Sequence, residues 1–278
     1  MMAALTASSL YSADIPALEA KAKQGDTGAQ FELARDFLKG DGVKKDEKRA
    51  FELMSAAANQ GHAEAMGGVG FFYANGIAVP KDEAKAVEWF RKGAEAGGPK
   101  AQLNLGNLLA SGSGVEKNEV EGRKWIKAAA DQDLPEALWA EGCIYYFGKY
   151  GEAVDYAAAY PYLLKAAQQG HPGSQNLVGV MLENGTGMQA NEKEALGWFR
   201  KAAQQGNTKA QMNLGRLLGP ENSGQTRRLE SLAWLTLAAE QGDVPAQKLL
   251  PALSPEEMSK VRKLASDLKN TTLTKTSK

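Results

Sequence analysis

The chain is poor in the side chains that most often carry chemistry. Its 278 residues include one cysteine, Cys143, and two histidines, His62 and His171. A lone thiol excludes an internal disulfide framework and any cysteine-rich metal site. There is no net charge, because Lys+Arg and Asp+Glu each number 33. No overall field therefore draws in nucleic acid or an anionic membrane, and neither is expected as a partner. No uncharged run reaches the roughly 18–20 apolar residues that a membrane-spanning helix requires. The GxSxG, HExxH and Walker patterns are all missing. No catalytic residue, metal ligand or cofactor is expected.

The first thirteen residues, MMAALTASSLYSA, also lack charge and are rich in small apolar types. Two readings stand. As the remnant of a secretory signal cut after Ala13, Met1–Ala13 would place the protein in the periplasm or outside the cell. Against that, no Lys or Arg precedes the stretch, and without export the chain is cytoplasmic.

What the chain has in quantity is repetition. KAAQQG stands at Lys165–Gly170 and again at Lys201–Gly206. Stepping from its glycine gives Gly25, Gly61, Gly97, Asp133, Gly170, Gly206 and Gly242, all 36 apart except for one step of 37. Other columns keep the same register. Eight residues before these anchors lie Leu53, Trp89, Trp125, Tyr162, Trp198 and Trp234. Nine after them lie Ala34, Gly70, Gly106, Gly142, Gly179 and Gly215. Such agreement marks a repeat array.

Each unit reads as two helices. Ala86, Trp89, Phe90, Gly93 and Ala94 form the stripe of a helix buried on one face, so the tryptophan column is expected in the core. Asp46, Asp82, Asn118, Asp155 and Asn191 stand where an N-cap is needed, and the anchors where a helix ends left-handed. The column of Ala34, Gly70 and their equivalents lets the partner helix approach closely. His62 and His171 each follow an anchor and are expected to start helices. They lie three repeats apart, too far to share a metal ion. Between the two helices run GDGV, GSGV and GTGM, turns whose apolar residue is expected to plug the space beneath.

Together these columns resemble the Sel-1-like repeat, a relative of the tetratricopeptide repeat. The resemblance implies an all-α fold, a right-handed solenoid of about six antiparallel helix pairs of 36 residues. Residues 26–242 would hold the repeats, 14–25 an N-terminal capping helix, and 243–269 a half repeat and capping helix. Residues 270–278 are expected to be a disordered tail. At the last helix Ser254, Pro255 and Glu257 fit a cap, a first-turn proline and a capping-box acid.

Members of that family mostly act as adaptors and scaffolds, which implies a non-enzymatic protein that holds a protein or peptide partner in a concave groove. Some cysteine-rich bacterial members are associated with β-lactam chemistry. An enzyme, a hydrolase acting on cell-wall or β-lactam-like material, is therefore the alternative, although their paired cysteines are absent here. Groove positions carried over from the tetratricopeptide repeat select Phe71, Asn107, Trp139, Tyr146, Phe147, Asn176 and Arg216, with Arg35, Glu64 and Lys100 among their neighbours. Cys143 also falls on this face and reads as a structural thiol. The fourth repeat places three aromatics there, Trp139, Tyr146 and Phe147, read either as a binding hot spot or as packing around a widened turn.

Overall fold

A computed structural model describes residues 15–219 and 224–276. The proposed signal remnant lies outside these residues. Fifteen helices and no strand occur among them. A first helix, α1 (Ile15–Lys23), precedes the pairs α2 (Thr27–Lys39) and α3 (Glu47–Asn59), α4 (Ala63–Asn75) and α5 (Glu83–Glu95), and α6 (Pro99–Ser111) and α7 (Glu119–Ala130). Next come α8 (Pro135–Phe147) and α9 (Tyr156–Gln168), α10 (Pro172–Asn184) and α11 (Glu192–Ala203), and α12 (Thr208–Leu218) and α13 (Gln225–Glu240). The chain closes with α14 (Val244–Leu249) and α15 (Pro255–Thr276). This is an all-α helical-repeat fold of the solenoid class. Contacts divide it into two compact units, Met1–Ala137 and Leu138–Lys278.

The helix ends follow from local chemistry. Asp46, Asp82, Asn118, Asp155 and Asn191 each accept a backbone N–H three residues on. Both histidines also cap: His62 Nδ1 accepts from the Ala65 N–H and His171 Nδ1 from the Ser174 N–H. Asp133 takes the left-handed conformation that glycine adopts at the other anchors, with φ of 64°. In the sixth repeat Arg227 occupies the cap position and acts differently. Elsewhere the cap's backbone N–H donates to the first helix, as Asn118 does to the Leu109 carbonyl. Here the guanidinium donates to the carbonyls of Leu218 and Leu217, and α13 begins earlier, at Gln225.

Within a pair the small residue of the first helix seats one large residue of the second. A methyl group on Gly70 would sit 2.8 Å from the Phe90 ring, and one on Gly106 would sit 2.7 Å from Ile126. The same fit joins Gly142 to Leu163, Gly179 to Phe199 and Gly215 to Leu235. This corrects the expectation for tryptophan. The fully enclosed column is Phe90, Ile126, Leu163, Phe199 and Leu235, one residue after the tryptophans. Trp198 and Trp234 are buried too, but Trp89 and Trp125 only half so. Polar groups accompany the indoles at both depths. Trp125, Trp198 and Trp234 point Nε1 at Glu121, Glu194 and Glu230, while the ammoniums of Lys92 and Lys201 lie over Trp89 and Trp198. A tryptophan whose N–H finds a carboxylate can still be enclosed, as Trp234 is. Val43, Val115 and Met188 pack under their turns as plugs.

At the C-terminus Ser254 and Glu257 exchange the reciprocal bonds of a capping box, opening α15. That helix continues to Thr276, so the structure has helix where a disordered tail was expected from residue 270. Once a helix is nucleated, each further residue adds one backbone bond, and seven more cost little.

Candidate functional site

One position in each first helix varies from ring to glycine and sets how much of the surface beside it is covered. Six residues after the anchors stand Phe31, Gly67, Leu103, Trp139, Asn176 and Met212. Where this residue is a ring, it covers the start of the next first helix. Phe31 stacks on His62 at 4.9 Å, with the Arg35 guanidinium 5.7 Å from the ring centre on α2. Trp139 lies over His171 at 5.3 Å, its indole edge against Gly173. In the second repeat both members of this contact are glycine, Gly67 and Gly98, and only the small Ala101 side chain comes close, 3.3 Å from where a Cβ on Gly67 would stand.

A cleft of about 450 Å³ opens there, wholly within the first unit. Its walls are apolar, built from Phe31 and Leu38 on α2, Met54 on α3, Phe71 and Phe72 on α4, and Pro99 and Ala101 on α6. Gly68 faces Met54 so closely that a methyl group would sit 2.5 Å from its sulfur. Polar groups stand at the rim: Arg35, Glu64, Lys100 and Asn104. Glu64 lies 3.4 Å from His62 Nδ1, whose lone pair serves the α4 cap, so this contact becomes an ion pair only on protonation of the ring.

Of the residues expected in the groove, Phe71 forms part of this cleft and is 43% exposed. Asn107 is exposed on α6 but does not line it. The other five belong to the second unit. Trp139 keeps 38% of its surface exposed beside His171. Tyr146 packs edge-on against Phe147 at 4.8 Å and Tyr156 at 5.1 Å, and Phe147 is 54% exposed. Asn176 accepts a bond from the Asn213 amide at 3.0 Å. Arg216 donates to both carboxylate oxygens of Glu183, at 2.8 and 2.6 Å. Those last two are engaged within the chain, whereas the aromatics leave apolar surface open.

Sequence reasoning singled out the aromatic-rich fourth repeat and passed over Phe31, Gly67, Gly98 and Asn104. The signal was present as the one glycine in a column of larger side chains. Chemistry offers little beside this. Cys143 is buried near Tyr146, and burial pushes its thiol up to about 11. Among the described residues no three His, Cys, Asp or Glu side chains come together as a metal site would require. No helix among them is long and apolar enough to cross a membrane.

Comparison with known proteins agrees with this architecture. Sel1 repeats match residues 27–62, 63–98, 99–134, 135–171, 172–207 and 208–243. The chain is 31% identical to c5321, a protective antigen present in uropathogenic Escherichia coli strains, whose crystal structure matches with a TM-score of 0.71. That match covers 92% of this chain and 56% of the antigen, so the chain spans little more than half of its relative's length. A Sel1 repeat protein from Oxalobacter formigenes is 28% identical, with a TM-score of 0.72, over 82% of this chain and all of that one. The immunity protein PA5088 from Pseudomonas aeruginosa shares the fold at 20% identity, with a TM-score of 0.52, over 79% of this chain and 82% of that one. No curated protein matches. Six consecutive repeats, each with a small residue at the same place in its first helix, make this chain a member of the Sel1 repeat family.

Proposed function

We propose that the chain is a non-enzymatic scaffold that binds a protein or peptide partner on the face carried by its first helices. Sel1 repeats generally serve as protein-interaction scaffolds. The observation that carries the reading for this chain is the exposure of large rings on first helices of each unit, Phe71 in the first and Trp139 and Phe147 in the second. Aromatic side chains that remain open beside polar neighbours are typical anchors of an interface. The rival, a hydrolase acting on cell-wall or β-lactam-like material, has less support. A thiol held near 11 stays protonated at neutral pH and is a poor nucleophile.

The test is photo-crosslinking from single positions of the full chain in the cell that makes it. Probes at Phe71 and Phe147 should trap one and the same protein, and a probe at Lys124, exposed on α7, should not. Adducts from Lys124 alone, or none from any position, would refute the scaffold reading. Trp139→Ala should weaken capture by about 2 kcal/mol if that ring is an anchor.

A further inference from the structure

We infer that the cleft at Gly67 receives an aromatic side chain of an extended peptide that carries a carboxylate about three residues to either side. This deepens the scaffold reading and rests on it. The choice of an aromatic comes from the chain itself. Phe31 on His62 and Trp139 on His171 show what the equivalent place holds when the chain fills it. Where Gly67 and Gly98 stand, the ring and its partner are both missing and a cleft of about 450 Å³ remains, walled by Phe31, Phe71 and Pro99. A partner's ring would restore the missing contact and bury apolar surface on several sides.

The carboxylates follow from charge. Gly67 lies on α4, between α2 and α6, and each flanking helix places a cation at the rim, Arg35 and Lys100. Both are exposed, and neither forms an ion pair among the described residues. The one rim acid, Glu64, is beside His62. Neighbouring helix axes are about 8–10 Å apart and an extended chain advances about 3.3 Å per residue. One helix spacing is therefore about three residues, which sets the interval from ring to acid. The side-chain amide of Asn104 stands at the same rim and suits the peptide backbone between them.

The test uses the full chain, calorimetric titration and four blocked peptides. The first is acetyl-Glu-Ser-Gly-Trp-Gly-Ser-Glu-amide. One comparator has lysine for both acids, one alanine for tryptophan, and one leucine for tryptophan. The first peptide should bind at least tenfold tighter than the lysine and alanine forms, and severalfold tighter than the leucine form. Arg35→Glu combined with Lys100→Glu should reverse the order of the acidic and basic peptides. Gly67→Leu should fill the cleft and lose at least tenfold.

Because a side chain at Gly67 presses on Ala101, 3.3 Å from the added carbon, a thermal melt accompanies that variant. If it melts early, the charge-reversal pair, at exposed positions, carries the test alone. Equal affinity for acidic and basic peptides, binding indifferent to the charge reversal, or no binding of any peptide would overturn the inference. A partner trapped in the cell through Phe147 while these peptides fail would overturn it and leave the scaffold reading standing. Peptide selectivity with no trapped partner would do the reverse.

Discussion

Gln132 donates its side-chain amide to the side-chain oxygen Oε1 of Gln102 at 2.8 Å, and Gln102 donates its own side-chain amide to the Ala94 backbone carbonyl at 3.2 Å. One glutamine thus ties the end of its own repeat to the second helix of the repeat before it. The arrangement returns in Gln30 with Gln60, Gln175 with Gln205, and Gln211 with Gln241. In the second repeat the two positions are Met66 and Ala96, both apolar. Gln102→Met should cost about 1 kcal/mol, because the Ala94 carbonyl keeps the Gly97 N–H but loses its side-chain donor, and the Gln132 amide loses an acceptor. Adding Gln132→Ala should cost less than the sum of the two single changes, since the pair then copies Met66 and Ala96. Urea unfolding of the four chains as a double-mutant cycle measures the coupling.

The seat of Ile126 on Gly106 gives a second prediction. A methyl at Gly106 would meet the Gly122 carbonyl oxygen at 2.7 Å as well as Ile126, and backbone cannot step aside. Gly106→Ala should destabilise by about 1–3 kcal/mol. Ile126→Ala should cost about 2–5 kcal/mol, and Trp125→Ala less, although it removes more atoms. Denaturant midpoints that rank Trp125→Ala as the worse change would contradict the burial described here.

Arg227 stands in for a missing helix cap through two bonds to the carbonyls of Leu217 and Leu218. Arg227→Ala should cost about 1–2 kcal/mol, in the range of charged hydrogen bonds. Amide hydrogen exchange should quicken at the C-terminal end of α12 while α4 and α6 keep their protection. Uniform loss across all helices would mean that the bonds act on global stability and not locally.

The Cys143 thiol gives the pH dependence. Burial raises it from its ordinary value of 9.0 to about 11, so the folded chain holds the proton more tightly than the unfolded one. Its contribution is complete below about pH 9 and is lost as pH rises through about 11. Iodoacetamide at pH 8 should leave the native chain unmodified and label it in denaturant. Rapid labelling of the folded protein would refute the burial.

The sequence by itself determined the repeat, the hairpin of each unit and nearly every helix boundary. These depend on interactions within four residues along the chain, such as Asp82 accepting from the Lys85 N–H, and on the left-handed anchors. The small-residue column was legible for the same reason, since it recurs at fixed spacing whatever it packs against. Which of Trp125 and Ile126 lies deeper was not legible, because neighbours on a helix differ by only 100° and both border the apolar stripe. The Gln102–Gln132 tie joins residues 30 apart and takes its meaning from the preceding repeat, at Ala94. The cleft at Gly67 needed the tertiary structure most of all. Its walls come from α2, α3, α4 and α6, and a hole is a property of what surrounds it. In the string of letters Gly67 is the one glycine in a column of larger side chains; only the fold shows the cleft that it leaves.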